Sequence, residues 1–278
     1  MNRFILHSLL LLAFPLSVLA QPKPADKPAD TKSKAEKKAE KKERVNKLIK
    51  QEEIGTLIYQ KQNVFGFKLA TDGWGAFFEK GFMKTVEKTN LFSVEIGERK
   101  SPKEQKVASI DQNGFSFGSS FIYGKQNNFY FLKLGVGQSL LLGGKGNKNG
   151  VAVSAIYSGG LSIGLLKPYY LRVTDNQKES EIKYLDNKSR NDTLFLTPTS
   201  IVGGAGIFKG FGEMKVKPGI FVKTALRFDY GKYNEMVSAI EAGINAEYYV
   251  SKIPLMIENK QKRFFINAFV AIEFGKRK

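Results

Sequence analysis

The sequence predicts an all-β fold, an up-and-down eight-stranded transmembrane β-barrel with an N-terminal Lys/Ala/Glu-rich tail. Three observations predict it. After residue 53, apolar and polar side chains alternate with a period of two. Charged residues share a register with glycine, opposite continuous apolar rows. The long connections between predicted strands all fall at odd-numbered positions, as in barrels that have long loops on one side of a membrane only.

The composition excludes several kinds of chemistry. The chain has 278 residues, 44 Lys and Arg against 26 Asp and Glu, and a formal net charge of +18. It contains no cysteine, so disulfides, thiolate nucleophiles and cysteine metal sites are excluded. Its positive charge is compatible with nucleic acid, but no nucleic-acid-binding motif accompanies it, and an anionic surface is the favoured partner.

Residues 1–20 have the features of a signal peptide. Arg3 precedes the apolar run "FILHSLLLLAFPLSVLA", and Val18 to Ala20 form a small-x-small cleavage site. An uncleaved anchor is the alternative, but the run is short for a membrane span and Pro15 interrupts it. Cleavage before Gln21 removes His7, the only histidine, which argues against the catalytic dyads and triads that need this general base. We therefore predict no catalytic residues.

Residues 21–53 form the predicted periplasmic linker. The segment begins with the proline-rich "QPKPADKPADTK" and continues with Lys, Ala and Glu, which favour helix. Eleven Lys and Arg against seven Asp and Glu give it a charge of +4. We predict a solvated, partly helical spacer, and a helix that docks on a partner or on peptidoglycan is the alternative.

Residues 54–278 form the predicted barrel. Turn signals such as "DG" at 72–73 and "GKGNKNG" at 144–150 separate the alternating segments. The predicted strands span residues 63–71, 74–83, 90–100, 128–142, 151–173, 217–230, 236–250 and 263–274.

The last strand shows the pattern most clearly. Its even-numbered residues form an apolar row that ends in an aromatic, as in the assembly signal of outer-membrane barrels: Phe264, Ile266, Ala268, Val270, Ile272 and Phe274. The residues "GKRK" follow Phe274, and we expect a basic extension in the periplasm there. In a membrane barrel such a row faces lipid, whereas in a soluble barrel it faces the interior.

The opposite register collects six acids and five bases in the predicted lumen. An eight-stranded barrel is only wide enough for side chains to fill it, so we predict a paired charge network, with a narrow or gated ion path as the alternative. The network consists of Lys68, Glu79, Glu95, Arg99, Lys133, Lys223, Arg227, Asp229, Glu241, Glu247 and Glu273.

The long connections are expected to face outward. They cover residues 101–127, 174–216 and 251–262, so both chain termini are predicted to be periplasmic. The glycine-rich segment 202–212 is predicted to be an apolar loop that folds over the barrel mouth or meets a partner. The same connection contains Asp192-Thr193-Leu194, which resembles an O-glycosylation site of Bacteroidota envelopes and makes Thr193 a candidate for modification.

Several phrases in the barrel carry a family resemblance. "ATDGWG", "SVEIGERKSPKEQK", "FIYGKQNNFYFLKLGVG", "GLLKPYYL", "EIKYLD" and "GEMKVKPGIFVKTAL" are similar to an outer-membrane β-barrel family of Bacteroidota type. The resemblance covers nearly the whole barrel and implies a cell-envelope location and a small barrel. It implies no catalytic residues.

The sequence thus predicts a non-enzymatic integral outer-membrane β-barrel, a structural or accessory subunit of an envelope complex. No cofactor and no metal are expected. The predicted partners are outer-membrane lipid and, through the basic tail and outward loops, other envelope proteins or peptidoglycan. A small channel and a soluble periplasmic barrel that carries an apolar ligand are the alternatives.

Overall fold

The computed structural model describes residues 59–108, 119–146, 149–175, 178–185, 189–257 and 259–278. The predicted signal peptide, at residues 1–20, and the predicted linker, at residues 21–53, lie outside the described residues. In the described part of the chain, no helix is both long and apolar enough to cross a membrane.

The described chain is built mainly of β-strands, with one α-helix, α1 (Ser189–Leu196). In chain order the strands are β1 (Lys61–Ala70), β2 (Gly73–Met83), β3 (Lys88–Arg99), β4 (Lys106–Val107), β5 (Phe121–Ile122), β6 (Asn127–Gly143), β7 (Ala152–Pro168), β8 (Tyr170–Asp175), β9 (Lys178–Lys183), β10 (Ile201–Gly204), β11 (Lys215–Asp229), β12 (Met236–Ile253) and β13 (Lys262–Arg277).

Eight of these strands form a closed antiparallel barrel in the order β1-β13-β12-β11-β7-β6-β3-β2. Each strand pairs with its chain neighbour within the barrel, and β1 closes the ring on β13, with Phe65 opposite Phe274. The barrel order is therefore up-and-down, which confirms the predicted eight-stranded barrel, and each predicted strand has a counterpart in it. The Asp72-Gly73 turn connects β1 and β2 with only two residues between the strands, as the "DG" signal predicts.

The two registers of the strands face different environments. The even-numbered apolar residues of β13 are exposed on the outer surface, for example Phe264 (54%) and Ile272 (49%), whereas Glu273 is fully buried. On β12 Ile244 is 50% exposed and its neighbour Asn245 is 1% exposed. Apolar side chains therefore cover the outside of the barrel and charged side chains fill its inside.

The connections differ between the two barrel ends. The short connections 84–87, 144–151 and 230–235 share one end, here called the turn end, with Tyr59 and Lys278. The longer connections lie at the opposite end, here called the loop end, together with the Asp72-Gly73 turn.

The connection between β7 and β11 at the loop end contains ordered structure. Strands β10, β8 and β9 form a three-stranded antiparallel sheet, and α1 contacts β8 and β9. These elements and β5 form a second apolar core, here called the cap, whose buried residues are Phe121, Leu171, Val173, Ile182, Phe195 and Ile201.

Two predicted strand ends are wrong. The predicted strand 151–173 is interrupted after Pro168, and residues 170–175 form β8 of the cap sheet instead of extending the barrel. The backbone N–H of Tyr169 donates to Gln126 at this bend (3.0 Å). The last strand runs past Phe274 to Arg277, because residues 275–277 pair with β1. The predicted free extension is therefore mostly part of the barrel wall.

Candidate functional site in the barrel lumen

All eleven charged residues predicted for the lumen lie inside the barrel. Each is buried, and the most accessible of them, Glu95, is 7% exposed. They come from seven of the eight barrel strands, and their inward direction follows from the two-residue period of those strands. The structure brings them together in three groups of ion pairs.

The central group surrounds Arg227 on β11. Its guanidinium contacts three carboxylates, those of Glu79 (2.9 Å), Glu241 (3.0 Å) and Glu273 (2.6 Å). Lys223 binds the other oxygen of Glu241 (2.9 Å). Four different strands are thus connected through one guanidinium, whose planar fork of donors suits several carboxylates.

The second group lies nearer the loop end and is organised around Glu247. This carboxylate accepts from Lys133 (2.6 Å), Arg99 (2.7 Å), Asn245 (2.6 Å) and Tyr249 (2.6 Å). Lys133 also contacts Glu95 (3.2 Å), which is paired with Lys68. Four donors from the protein thus replace the hydrogen bonds that this buried carboxylate would make with water.

The third group lies at the turn end around Asp229. Arg277 contacts one oxygen (2.5 Å) and Lys145 the other (3.2 Å), while the backbone N–H of Gly231 also donates to this carboxylate (2.9 Å). Arg277 and Lys145 are 8% and 6% exposed. Within the basic extension expected after Phe274, Arg277 therefore does not project from the barrel but completes the lumen network.

Three charged residues of the network escaped the sequence analysis. They are Lys145, Arg277 and Asp72, which binds Arg99 (2.7 Å). Arg277 continues the inward register of Glu273, so extending the period of two would have found it. Adding Asp72 to the six predicted acids, and Lys145 and Arg277 to the five predicted bases, gives seven acidic and seven basic residues. The charges of the described network therefore balance.

Aromatic rings fill the space between the ion pairs. The Lys133 ammonium lies 4.2 Å from the centre of the Phe131 ring, and Arg99 stacks over Phe265 at 4.5 Å. Glycine makes room for such rings, since a Cβ on Gly66 would lie 2.3 Å from the Phe77 ring. The packed rings and ion pairs leave little space for a ligand.

The cavities detected along the lumen are correspondingly small. One of about 20 Å³ lies at the turn end beside Arg277, and one of about 10 Å³ lies near the loop end beside Asp72. A cavity of this kind needs a volume of roughly 10–15 Å³ to hold one water molecule, so each of the two has room for about one water. Neither of these two cavities has room for the apolar ligand of a soluble carrier.

The remaining predicted positions lie on surfaces. The assembly-signal row Phe264, Ile266, Ala268, Val270, Ile272 and Phe274 is exposed on the outside of β13. Thr193 is exposed on helix α1. Residues 202–204 of the glycine-rich segment belong to β10 (Ile201–Gly204), which corrects the prediction of a loop there, whereas Ile207 and Phe208 are 77% and 87% exposed.

A polar group on the cap fixes the segment that follows these exposed residues. Glu213 accepts from Tyr170 (2.7 Å) and is ion-paired with Lys183. The hydrogen bonds from Lys183 and Tyr170 hold the pKa of the Glu213 carboxyl below its ordinary value, and the bond to Glu213 raises the pKa of Lys183. The pair anchors the cap segment to β8 and β9.

No protein-family model and no curated protein sequence matches the chain. Among solved structures, the chain is similar to Neisserial surface protein A (8% identity, TM-score 0.36, 79% of this chain and 95% of that one). It is also similar to Ail of Yersinia pestis in complex with a heparin analogue (10% identity, TM-score 0.37, 78% of this chain and 99% of that one). A third similar structure is the N-terminal β-barrel domain of Pseudomonas aeruginosa OprF (9% identity, TM-score 0.30, 78% of this chain and 100% of that one). At these identities and TM-scores the likeness carries no functional information, and the strand order itself defines the class, a closed eight-stranded β-barrel.

Proposed function

We propose that this chain is an integral outer-membrane barrel that does not conduct ions and acts as a structural or accessory component of an envelope complex. The observation that carries the proposal is the inverted barrel, which is apolar outside and filled with paired charges inside. The role is non-catalytic, because the lumen carboxylates of the described residues are held in ion pairs and the two cavities described beside them have room for about one water each.

The outer surface supports membrane residence. Exposed apolar side chains of this kind are unfavourable in water and form a band on the outside of membrane barrels. The band runs round the described barrel and includes Phe67, Phe78, Val94, Val136, Leu161, Val222, Ile244 and Val270, each between 44% and 62% exposed. The backbone of a closed barrel has no free edge, which is the condition for strands to cross lipid.

The paired charges in the lumen favour a structural role over ion conduction. Arg227 connects strands from opposite sides of the ring, and Glu247 does the same nearer the loop end. Moving an ion through the barrel would require opening buried ion pairs in a poorly hydrated space, which is costly. The network therefore stabilises the wall and closes the path.

The cap supports a role in contact with another envelope component. Ile207, Phe208 and Phe211 project from it, exposed at 77%, 87% and 47%, and the rings of Phe208 and Phe211 lie 6.4 Å apart. The segment that carries them is tied down by Glu213, so these side chains are presented on a folded support. Exposed aromatic residues of this kind are typical contact points of protein interfaces.

The location of the charged tail remains part of the proposal. We propose that the chain termini are periplasmic and that the +4 segment 21–53, with Lys276 and Lys278, contacts peptidoglycan or an anionic partner. Removing residues 21–53 should leave barrel refolding unchanged and weaken sedimentation with purified peptidoglycan. A deletion that prevents refolding would make the segment part of the barrel domain.

Planar-bilayer recording tests the central claim. Refolded protein should insert and give no current steps above those of a protein-free bilayer, with an open-lumen porin as positive control. Steady steps that change when Arg227 is replaced by Met, while refolding is unaffected, would establish the channel alternative instead.

Purification from native membranes tests the accessory role. A component that copurifies with the tagged chain should be lost from the Phe208→Asp variant and kept by a Val86→Asp variant. Val86 is also exposed (44%) but lies at the turn end, so it controls for a general effect of one added charge. Equal recovery with both variants would remove the cap from the proposal.

A further inference from the structure

A cleft at the loop end combines a basic lining with an opening onto the outer barrel surface. Its volume is about 740 Å³, which makes it far larger than the lumen cavities. Its walls come from the Asp72 turn, the residues that follow β3 and the connection between β12 and β13. These segments are distant in sequence and meet because β1 closes the barrel between β2 and β13.

The residues that line the cleft carry a large excess of positive charge. Six cationic residues and one acid line it, and the acid, Asp72, is already bound to the buried Arg99 (2.7 Å). The other five cations are Lys100, Lys103, Lys260, Lys262 and Arg263. Of these only Lys100 has a carboxylate within 4 Å in the described part of the chain, at 3.8 Å from Glu98.

Apolar side chains border the same cleft. Leu255 and Ile253 lie on its inner side, while Phe264 and Ile266 belong to the exposed row of β13 and are 54% and 64% exposed. The cationic rim thus continues directly into the apolar band of the barrel. A ligand that follows both surfaces needs an anionic head and an apolar chain.

From this geometry we infer that the cleft binds one phosphorylated lipid of the outer leaflet, with the phosphate among Lys103, Lys260 and Arg263 and an acyl chain along Phe264 and Ile266. The inference rests on the proposed membrane residence, which places β13 in lipid, and on the proposed periplasmic position of the termini, which places the loop end in the outer leaflet. Lysine and arginine bind phosphate by charge-assisted hydrogen bonds, and arginine can use two donors at once. Continuity with the lipid-facing band favours a lipid over a free anion.

The test compares two double variants of the full chain that lose the same charge. Lys260→Gln with Arg263→Gln removes two cations from the cleft. Lys178→Gln with Lys215→Gln removes two exposed cations from the loop end outside the cleft. The proteins are purified in neutral detergent and titrated with phosphatidic acid, and native mass spectrometry counts the bound lipid.

The wild-type chain should retain one phosphatidic acid and little phosphatidylcholine. The cleft variant should bind phosphatidic acid about tenfold more weakly or worse, and the control variant should stay within about twofold of wild type. Exchange of the two cations in a Lys260→Arg, Arg263→Lys variant keeps the charge and should restore most of the binding, which separates charge loss from misfolding.

Three results would overturn the inference. Equal weakening in the cleft and control variants would show diffuse attraction to the whole loop end. Displacement of the lipid by millimolar inorganic phosphate would show a site for a free anion. Equal retention of phosphatidylcholine would show adhesion of any lipid. Recovery of the chain in a soluble cell fraction would contradict the proposed membrane residence, a result distinct from these three.

Discussion

The lumen and the loop-end cleft contain the same kinds of cations and differ in how these are partnered. Each of the seven lumen cations contacts a carboxylate within 3.2 Å. Of the five cleft cations other than Arg99, only Lys100 has a carboxylate within 4 Å in the described part of the chain, at 3.8 Å. Burial makes an unpaired charge costly, so the lumen must be balanced internally. Water removes that requirement at the surface, and an excess of cations there can serve a ligand.

The largest effect is expected from removing the guanidinium that connects the lumen. Arg227→Met should lower the free energy of unfolding by about 3–5 kcal/mol, because three carboxylates lose a partner. Adding Glu241→Gln should recover only part of this loss, since Glu79 and Glu273 keep their charge. Urea titrations in lipid vesicles would measure both variants, and additive losses would contradict the coupling.

The second-largest effect is expected on the outer surface, where the cost of adding a charge should differ between the middle of the barrel and its end. Ile244→Arg should destabilise the barrel in vesicles by about 2–4 kcal/mol, while Met236→Arg at the turn end should cost only about 0–1 kcal/mol. Both residues are exposed on β12, at 50% and 48%, so only depth distinguishes them. Similar losses at both positions would argue against a lipid-facing band centred on Ile244.

Packing inside the barrel predicts a smaller effect at glycine. In Gly66→Ala the new Cβ would lie 2.3 Å from the enclosed Phe77 ring, and we expect a loss of about 1–3 kcal/mol. Gly143→Ala is the control, because a Cβ there meets no atom within 4 Å. A mild effect of both variants in the same urea titration would show that the lumen is packed more loosely than described.

The smallest effect concerns the cap, where charges pair in water. Because its pKa is lowered, ionised Glu213 contributes stability above its ordinary pKa of 4.5, and that contribution disappears as pH falls through the lowered value. An exposed pair of this kind contributes at most about 1 kcal/mol. Carbon-detected NMR should find the Glu213 pKa below 4.5, and Lys183→Gln should move it upward. An unchanged pKa in that variant would show that Lys183 does not hold the carboxylate.

Much of the fold could be predicted because successive residues of a β-strand face opposite sides of the barrel wall, so the two environments appear as an alternating sequence pattern. The period of two placed Arg227 and Glu241 inside, and the pairing of these two residues follows from adjacent strands. The same rule failed where periodicity ends: Lys145 sits in a turn, Pro168 bends the chain out of the wall, and the cap sheet pairs three short segments with no long alternating run.

The sequence by itself determined the number of strands, the face on which each side chain lies and therefore the apolar exterior and charged interior, because these depend on local alternation along one strand. Apart from the Arg227–Glu241 pair on adjacent strands, only the tertiary structure decided which charges meet, since Arg227 also binds Glu79 and Glu273, whose strands are not its neighbours in the barrel. The cleft is a product of tertiary structure alone. Its cations come from connections that are more than 150 residues apart, such as those of Lys103 and Lys260, and barrel closure brings them onto one rim.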